Sequence, residues 1–384
     1  MKRLLLPALL FTTLTACTAA PADTLPAAVP TPTPASTPAP TAAPAPADAL
    51  TPEEKIGQLF IIRPDALDLT LPQETINDAK ADGVTMLTDA MRETLQAYPV
   101  GGICQFGKNI TDPEQLAQFN ADLQAASRTP LFIAVDEEGG AVARLANHPA
   151  FDLPQYESAA AVGASGDPAD ACAMGQTIGA YLKEYGFNMD FAPDADVNTN
   201  PDNPIIGTRA FSSDAAAAAD GLRTSGILPT LKHFPGHGDT AEDSHTALAV
   251  TYKTLDELQA CELLPFAADT GLHAVMVGHI AAPNVTGDGT PATLSPQLVA
   301  LIPDAENTLI VTDSLAMDAI TAAYTPGEAA VQALQAGCDV LLMPNSLPEA
   351  YAAVLEAVQN GTISEERLDR SVNKILLYKQ QFAS

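Results

Sequence analysis

From about residue 50 onward, short apolar runs alternate with longer stretches of helical periodicity. The runs predict strands at residues 58–62, 100–106, 131–136, 188–192, 229–233, 274–279, 309–313 and 339–343. Between them, residues 113–127, 168–185, 255–270 and 326–336 predict helices. Asp112 and Asp167 each stand just before a proline, the arrangement of an N-cap followed by a first-turn proline. Eight strands interleaved with helices predict an α/β fold of the (β/α)8 TIM-type barrel class, in a single catalytic domain. A doubly wound open sheet is the other arrangement considered, but the chain offers no glycine-rich dinucleotide turn to support it. Several predicted strands end at or beside polar residues, namely Asp136, Asp194, His233, His279 and Asp313, where barrel enzymes carry their chemistry.

The N-terminal pattern differs. A basic start, Met1-Lys2-Arg3, precedes an apolar stretch at residues 4–14 that is short for a bilayer span, and Leu14-Thr15-Ala16-Cys17 closes it. This has the form of a bacterial lipoprotein signal, so residues 1–17 are expected to be a signal ending at a lipidated Cys17. Residues 18–48 are nearly all Ala, Pro and Thr, a composition that cannot build a core and favours an extended tether. The catalytic domain is expected at 49–384, held outside the cell membrane by its lipid anchor.

Composition narrows the partners. With 18 basic against 47 acidic residues the net charge is −29, which argues against nucleic acid or an anionic membrane surface. Tryptophan is absent, which fits a small pocket better than a long polysaccharide cleft. Cys104, Cys172, Cys261 and Cys338 show no paired metal spacing, and both free thiols and disulfides remain open.

The densest chemistry lies at Lys232-His233-Phe234-Pro235-Gly236-His237-Gly238-Asp239-Thr240 and Asp243-Ser244-His245, where three of the six histidines fall within fourteen positions. A core has little use for so many titratable groups, because each buried one must be paired or neutralised. His233, His237, His245, Asp239 and Asp243 could serve as zinc ligands, but Pro235 and the glycines break the helix that a His-x-x-x-His metal motif requires.

These segments resemble the catalytic region of glycoside hydrolase family 3 β-N-acetylhexosaminidases. Four further stretches resemble the family in order: Val135-Asp136-Glu137-Glu138-Gly139-Gly140 with Arg144, Asn203-Pro204-Ile205-Ile206-Gly207-Thr208-Arg209-Ala210-Phe211, Ile310-Val311-Thr312-Asp313-Ser314-Leu315-Ala316-Met317, and Ile363-Ser364-Glu365-Glu366-Arg367-Leu368-Asp369. The resemblance implies a retaining exo-β-N-acetylglucosaminidase acting on peptidoglycan fragments or related oligosaccharides as a monomer without a cofactor. It implies Asp313 as nucleophile, His245 as acid/base and Asp243 as the carboxylate that orients and charges it. Asp136, Arg144, Arg209, Lys232 and His233 are implied as sugar contacts. Gly139, Gly140 and Gly236 suit tight turns, while His237 and Asp239 suit loop organisation. Ala141 departs from the family pattern, which often has arginine there. β-Glucosidase or β-xylosidase specificity, phosphorolysis, and a non-catalytic sugar-binding lipoprotein are the rival readings. The chain's end after the closing helix is read as favouring the N-acetyl sugar, because glucosidase relatives take their acid/base from a second domain.

Overall fold

Eight short parallel strands form one sheet: β1 Phe60–Ile62, β2 Gly102–Cys104, β3 Phe132–Val135, β4 Met189–Asp190, β5 Leu228–Phe234, β6 Ala274–Val277, β7 Leu309–Thr312 and β8 Leu341–Leu342. Their spatial order is β7-β6-β5-β4-β3-β2-β1-β8. The ends meet through a parallel bridge of Val311 with Val340 and a bond from Thr312 N to Val340 O of 2.9 Å. The sheet therefore closes on itself, and the (β/α)8 barrel expected from the sequence is the fold of the computed structural model. It describes residues 46–200, 203, 205–211, 214–242, 244 and 246–383. The expected signal, Cys17 and most of the tether lie outside the described residues. No helix among the described residues is long and apolar enough to cross a membrane.

Each predicted strand is present; seven are shorter at one or both ends, and the one expected at 229–233 extends one residue further each way, Leu228–Phe234. The run at 188–192 keeps only Met189–Asp190 as strand, because Pro193 offers no N–H to a ladder. The chain leaves the sheet there and returns at Asp194, which bridges Lys232. Asp112 and Asp167 cap their helices as expected, accepting from Gln115 N and Ala169 N at 2.9 and 3.0 Å.

One helix expectation needs correction. Residues 255–270 form two short helices, Leu255–Ala260 and Leu264–Ala268, instead of one. Cys261 leaves helical geometry, Glu262 turns into the interior beside Lys253 and Thr199, and Pro265 starts the second helix. An inward carboxylate overrides local propensity here, as tertiary context commonly does.

The closing helix, Glu365–Phe382, lays Leu368, Val372, Ile375, Tyr378 and Phe382 against the barrel and buries two lysines among them. Lys374 is fully served: Asp339 Oδ2 at 2.7 Å, with the carbonyls of Ala305 and Thr308 at 2.9 Å. Lys379 is not. Its Nζ donates to Gln58 Oε1 at 2.6 Å and lies 5.3 Å from the centre of the Phe132 ring, with no carboxylate in ion-pair range among the described residues. Burial pushes its pKa down to about 7.

Candidate active site

The longest strand, β5, is buried throughout and carries Lys232 and His233 inside the barrel wall. The peptide bond between them is cis. Lys232 Nζ reaches Asp136 Oδ1 at 2.8 Å and Glu138 Oε1 at 2.7 Å. Asp136 follows β3 directly. Glu138 lies in a small antiparallel ribbon, Glu137–Gly139 with Val142–Ala143. Gly139 and Gly140, at φ 81° and 66°, make the ribbon's turn, and Ala141 sits exposed on it. A side chain at Gly139 would be strained in backbone and would meet Met174.

Glu138 grips Arg209 with both oxygens, Nε to Oε2 at 2.8 Å and NH2 to Oε1 at 2.6 Å. The same guanidinium reaches Ile205 O at 3.2 Å and lies 3.7 Å from Asp194. Burial works against the charged forms of Asp136 and Glu138, but the cations Lys232, Arg144 and Arg209 hold Asp136 well below the usual carboxylate range, and Lys232 and Arg209 lower Glu138. Lys232 is raised in turn by the two carboxylates, against the opposing effect of burial. Arg144 joins more loosely, with NH2 3.5 Å from Asp136. Glu138→Gln should leave two buried cations short of an anion. It is expected to cost about 3–5 kcal/mol of stability in urea denaturation, the usual loss for a broken buried pair.

Below this wall, His233 Nδ1 meets Asp196 Oδ2 at 2.7 Å, and Asp196 also accepts from the backbone N of His233 and His237 at 3.2 and 2.5 Å. Burial favours neutral imidazole at His233, but Asp196 outweighs it and raises the pKa. Asp194, fully buried beside the Asp196 charge, is pushed up to about 8. Asp194, Asp196 and His233 place one ligand atom each within 4.8 Å of one another, a metal-like spacing. Asp196 is already paired with His233 at 2.7 Å, and burial beside Asp196 favours the protonated form of Asp194. The zinc set considered from the sequence does not assemble among its described members. His237 contacts Thr240 Oγ1 at 2.7 Å and Ser244 Oγ at 3.0 Å, while Asp239 accepts from Thr251 Oγ1 at 3.0 Å and lies 3.7 Å from Lys253.

Both latter residues thus organise the loop, as expected. Gly236, at φ 127°, passes so close to Glu262 that a Cβ would lie 2.6 Å from that side chain. Asp243 and His245 lie outside the described residues. Ser244, between them in sequence, is anchored by His237.

Asp313 follows β7. Its N donates to Val277 O at 2.9 Å, and its Oδ1 accepts from Ser314 N at 2.7 Å. His279 is a brace, bonding Thr293 Oγ1 at 2.7 Å and the Ser314 carbonyl at 2.8 Å. Asp313, Asp136, Glu138, Lys232, Arg209 and His233 line one cavity of about 180 Å³, with Arg144 beside them. That is below the ~300–1,000 Å³ of drug-sized sites and suits one sugar ring. Arg63, Phe106, Glu138 and Asp196 were not singled out by sequence. The Asp194-Ala195-Asp196 alternation past a strand end could have flagged Asp196, whereas nothing local marks Arg63. Cys104, Cys172, Cys261 and Cys338 are free thiols.

The barrel has relatives among known proteins. Residues 51–377 match the family model described as "Glycosyl hydrolase family 3 N terminal domain". The chain is 32% identical to a beta-hexosaminidase A of Pseudoalteromonas piscicida, over 77% of this chain and 56% of that protein. It is 31% identical to beta-hexosaminidase LpqI of Mycobacterium tuberculosis, over 86% of this chain and 83% of that one. Among solved structures, a glycoside hydrolase family 3 beta-N-acetylglucosaminidase from Paenibacillus sp. superposes with a TM-score of 0.76 at 37% identity, covering 87% of this chain and 63% of the other. The chain thus spans little more than half of the first of these relatives and most of the second.

Proposed function

Because the chain belongs to glycosyl hydrolase family 3, we propose that it is a retaining exo-β-N-acetylglucosaminidase that removes terminal GlcNAc from peptidoglycan fragments. The observation that carries this reading is the placement of Asp313 on the cavity that Asp136, Lys232, Glu138 and Arg209 line with paired charges. Charge-assisted hydrogen bonds to hydroxyls are roughly twice as strong as neutral ones, so such a wall can hold a sugar ring in one orientation. His233, held by Asp196, adds a donor to it.

In the reaction, an Asp313 oxygen attacks the anomeric carbon as the glycosidic bond breaks, and the leaving oxygen takes a proton from His245. Water then attacks the same carbon, His245 takes the proton, and Asp313 leaves, so two inversions give retention. Asp243 supports the histidine's protonated form and its orientation. The proposed enzyme needs no cofactor, works as a monomer, and is held at the outer face of the membrane through a lipidated Cys17.

The test is nitrophenol release from 4-nitrophenyl N-acetyl-β-glucosaminide by the purified full chain, with the glucoside alongside. Turnover of the N-acetyl sugar is expected. Turnover confined to the glucoside would overturn the sugar specificity. Replacing a non-nucleophilic buffer with phosphate is expected to leave the rate unchanged and to form no sugar phosphate; its appearance would mean phosphorolysis instead.

A further inference from the structure

The cavity's other side carries a charge that no carboxylate contacts among the described residues. Arg63 follows β1, Phe106 follows β2, and Arg144 follows the ribbon after β3, and the closed barrel sets these three beside one another. The guanidinium carbons of Arg63 and Arg144 lie 4.7 and 5.8 Å from the centre of the same Phe106 ring. Like charges so placed repel, and their nearness lowers the Arg63 pKa further after burial has lowered it. Lys232, Arg209 and Arg144 each have a carboxylate within 4 Å. Arg63 has none among the described residues. Its hydrogen bond goes to a neutral amide, Asn77 Oδ1 at 2.6 Å, which Asn345 holds in turn. Arg144 Nε is buried without an acceptor, and the nearest anion, Asp136, is already bonded to Lys232 at 2.8 Å.

A half-buried cation with no anion in contact, an orphan guanidinium donor beside it and an aromatic face orienting both make a receptor for a planar anion. We propose that Arg63 and Arg144, stacked on Phe106, form a subsite for a carboxylate carried by the glycan substrate. The inference rests on the hydrolase reading above and specifies what the substrate must carry. The carboxylate could sit on the leaving sugar or on the ring that is cleaved off, and the choice of substrate separates the two.

The experiment compares kcat/KM of the full chain for the GlcNAc–MurNAc disaccharide, which has a carboxylate on the leaving sugar, with that for neutral chitobiose. A third substrate, 4-nitrophenyl β-glucuronide, places the carboxylate on the departing ring. Wild type is expected to prefer one carboxylate-bearing substrate over its neutral counterpart by about 10- to 100-fold, the range of one or two charged hydrogen bonds. Arg63→Met should collapse that ratio towards one, chiefly through KM, and Arg63→Lys should keep part of it. Equal ratios in wild type and Arg63→Met overturn the subsite, whereas turnover of chitobiose in both keeps the hydrolase reading. A catalysis-free arm titrates methyl glycosides of N-acetylmuramic acid, glucuronic acid and GlcNAc calorimetrically. Tighter binding of either acid, lost in Arg63→Met, supports the subsite even if no substrate turns over; three equal affinities overturn it.

Discussion

Asp313→Asn is expected to lower kcat/KM on the nitrophenyl N-acetyl sugar by at least about 10⁴-fold, the scale of loss when an enzyme's nucleophile is removed. The amide keeps the size of the carboxylate and can still accept from Ser314 N, so thermal unfolding should move by no more than about 2 °C. Activity falls and fold stays: that pair separates a reacting group from a structural one. A further arm removes the side chain. In Asp313→Gly, azide can enter from the face the carboxylate occupied and displace the leaving group once, which inverts the anomeric carbon. Formation of the α-glycosyl azide would identify Asp313 as the nucleophile, whereas a rate untouched by Asp313→Asn would remove it from that role.

Lys379→Met is expected to stabilise the protein at neutral pH. The lysine's folded pKa of about 7 lies below its ordinary 10.5. Between those values the unfolded chain binds a proton that the folded chain does not. Folding therefore loses stability from this group as pH falls through that window, and the loss is complete below about 7. Every tenfold drop in the ammonium's proton affinity corresponds to about 1.4 kcal/mol, and the variant sets against this gain the hydrogen bond that Gln58 Oε1 loses, about 1 kcal/mol. A net gain of about 2–3 kcal/mol at pH 7 is expected in urea denaturation, shrinking and changing sign near pH 10. A variant less stable at both pH values would mean that Gln58 and the Phe132 ring already hold the ammonium well enough.

The barrel was legible because every stave is an apolar run, and such runs survive without knowledge of their neighbours. Where strands end was not, since Pro193 and the return of Asp194 to Lys232 are decided by the partner strand. The broken helix at residues 255–270 fails for the same reason, Glu262 being drawn inward by Lys253. Asp136, Arg209, Lys232 and His233, taken from motif resemblance, do meet in one cavity with Asp313. Glu138 sat in the same quoted motif without a role, yet it ties Lys232 to Arg209. A residue whose partners lie about seventy and ninety positions away along the chain shows its use only after the barrel closes. Arg63 is the extreme case, because its meaning comes from Phe106 and Arg144 on neighbouring strands' loops.

β5 carries Lys232 and His233 within a strand buried along its whole length. One half of the cavity is therefore masonry: a change there alters the stave itself, and the barrel with it. The opposite half hangs on the connections that leave β1, β2 and β3, where residues can be exchanged with little cost to the closed sheet. An engineer wishing to retarget the enzyme would randomise Arg63, Phe106 and Arg144 and leave β5 untouched. Natural divergence of preference within this architecture would be expected to follow the same seam.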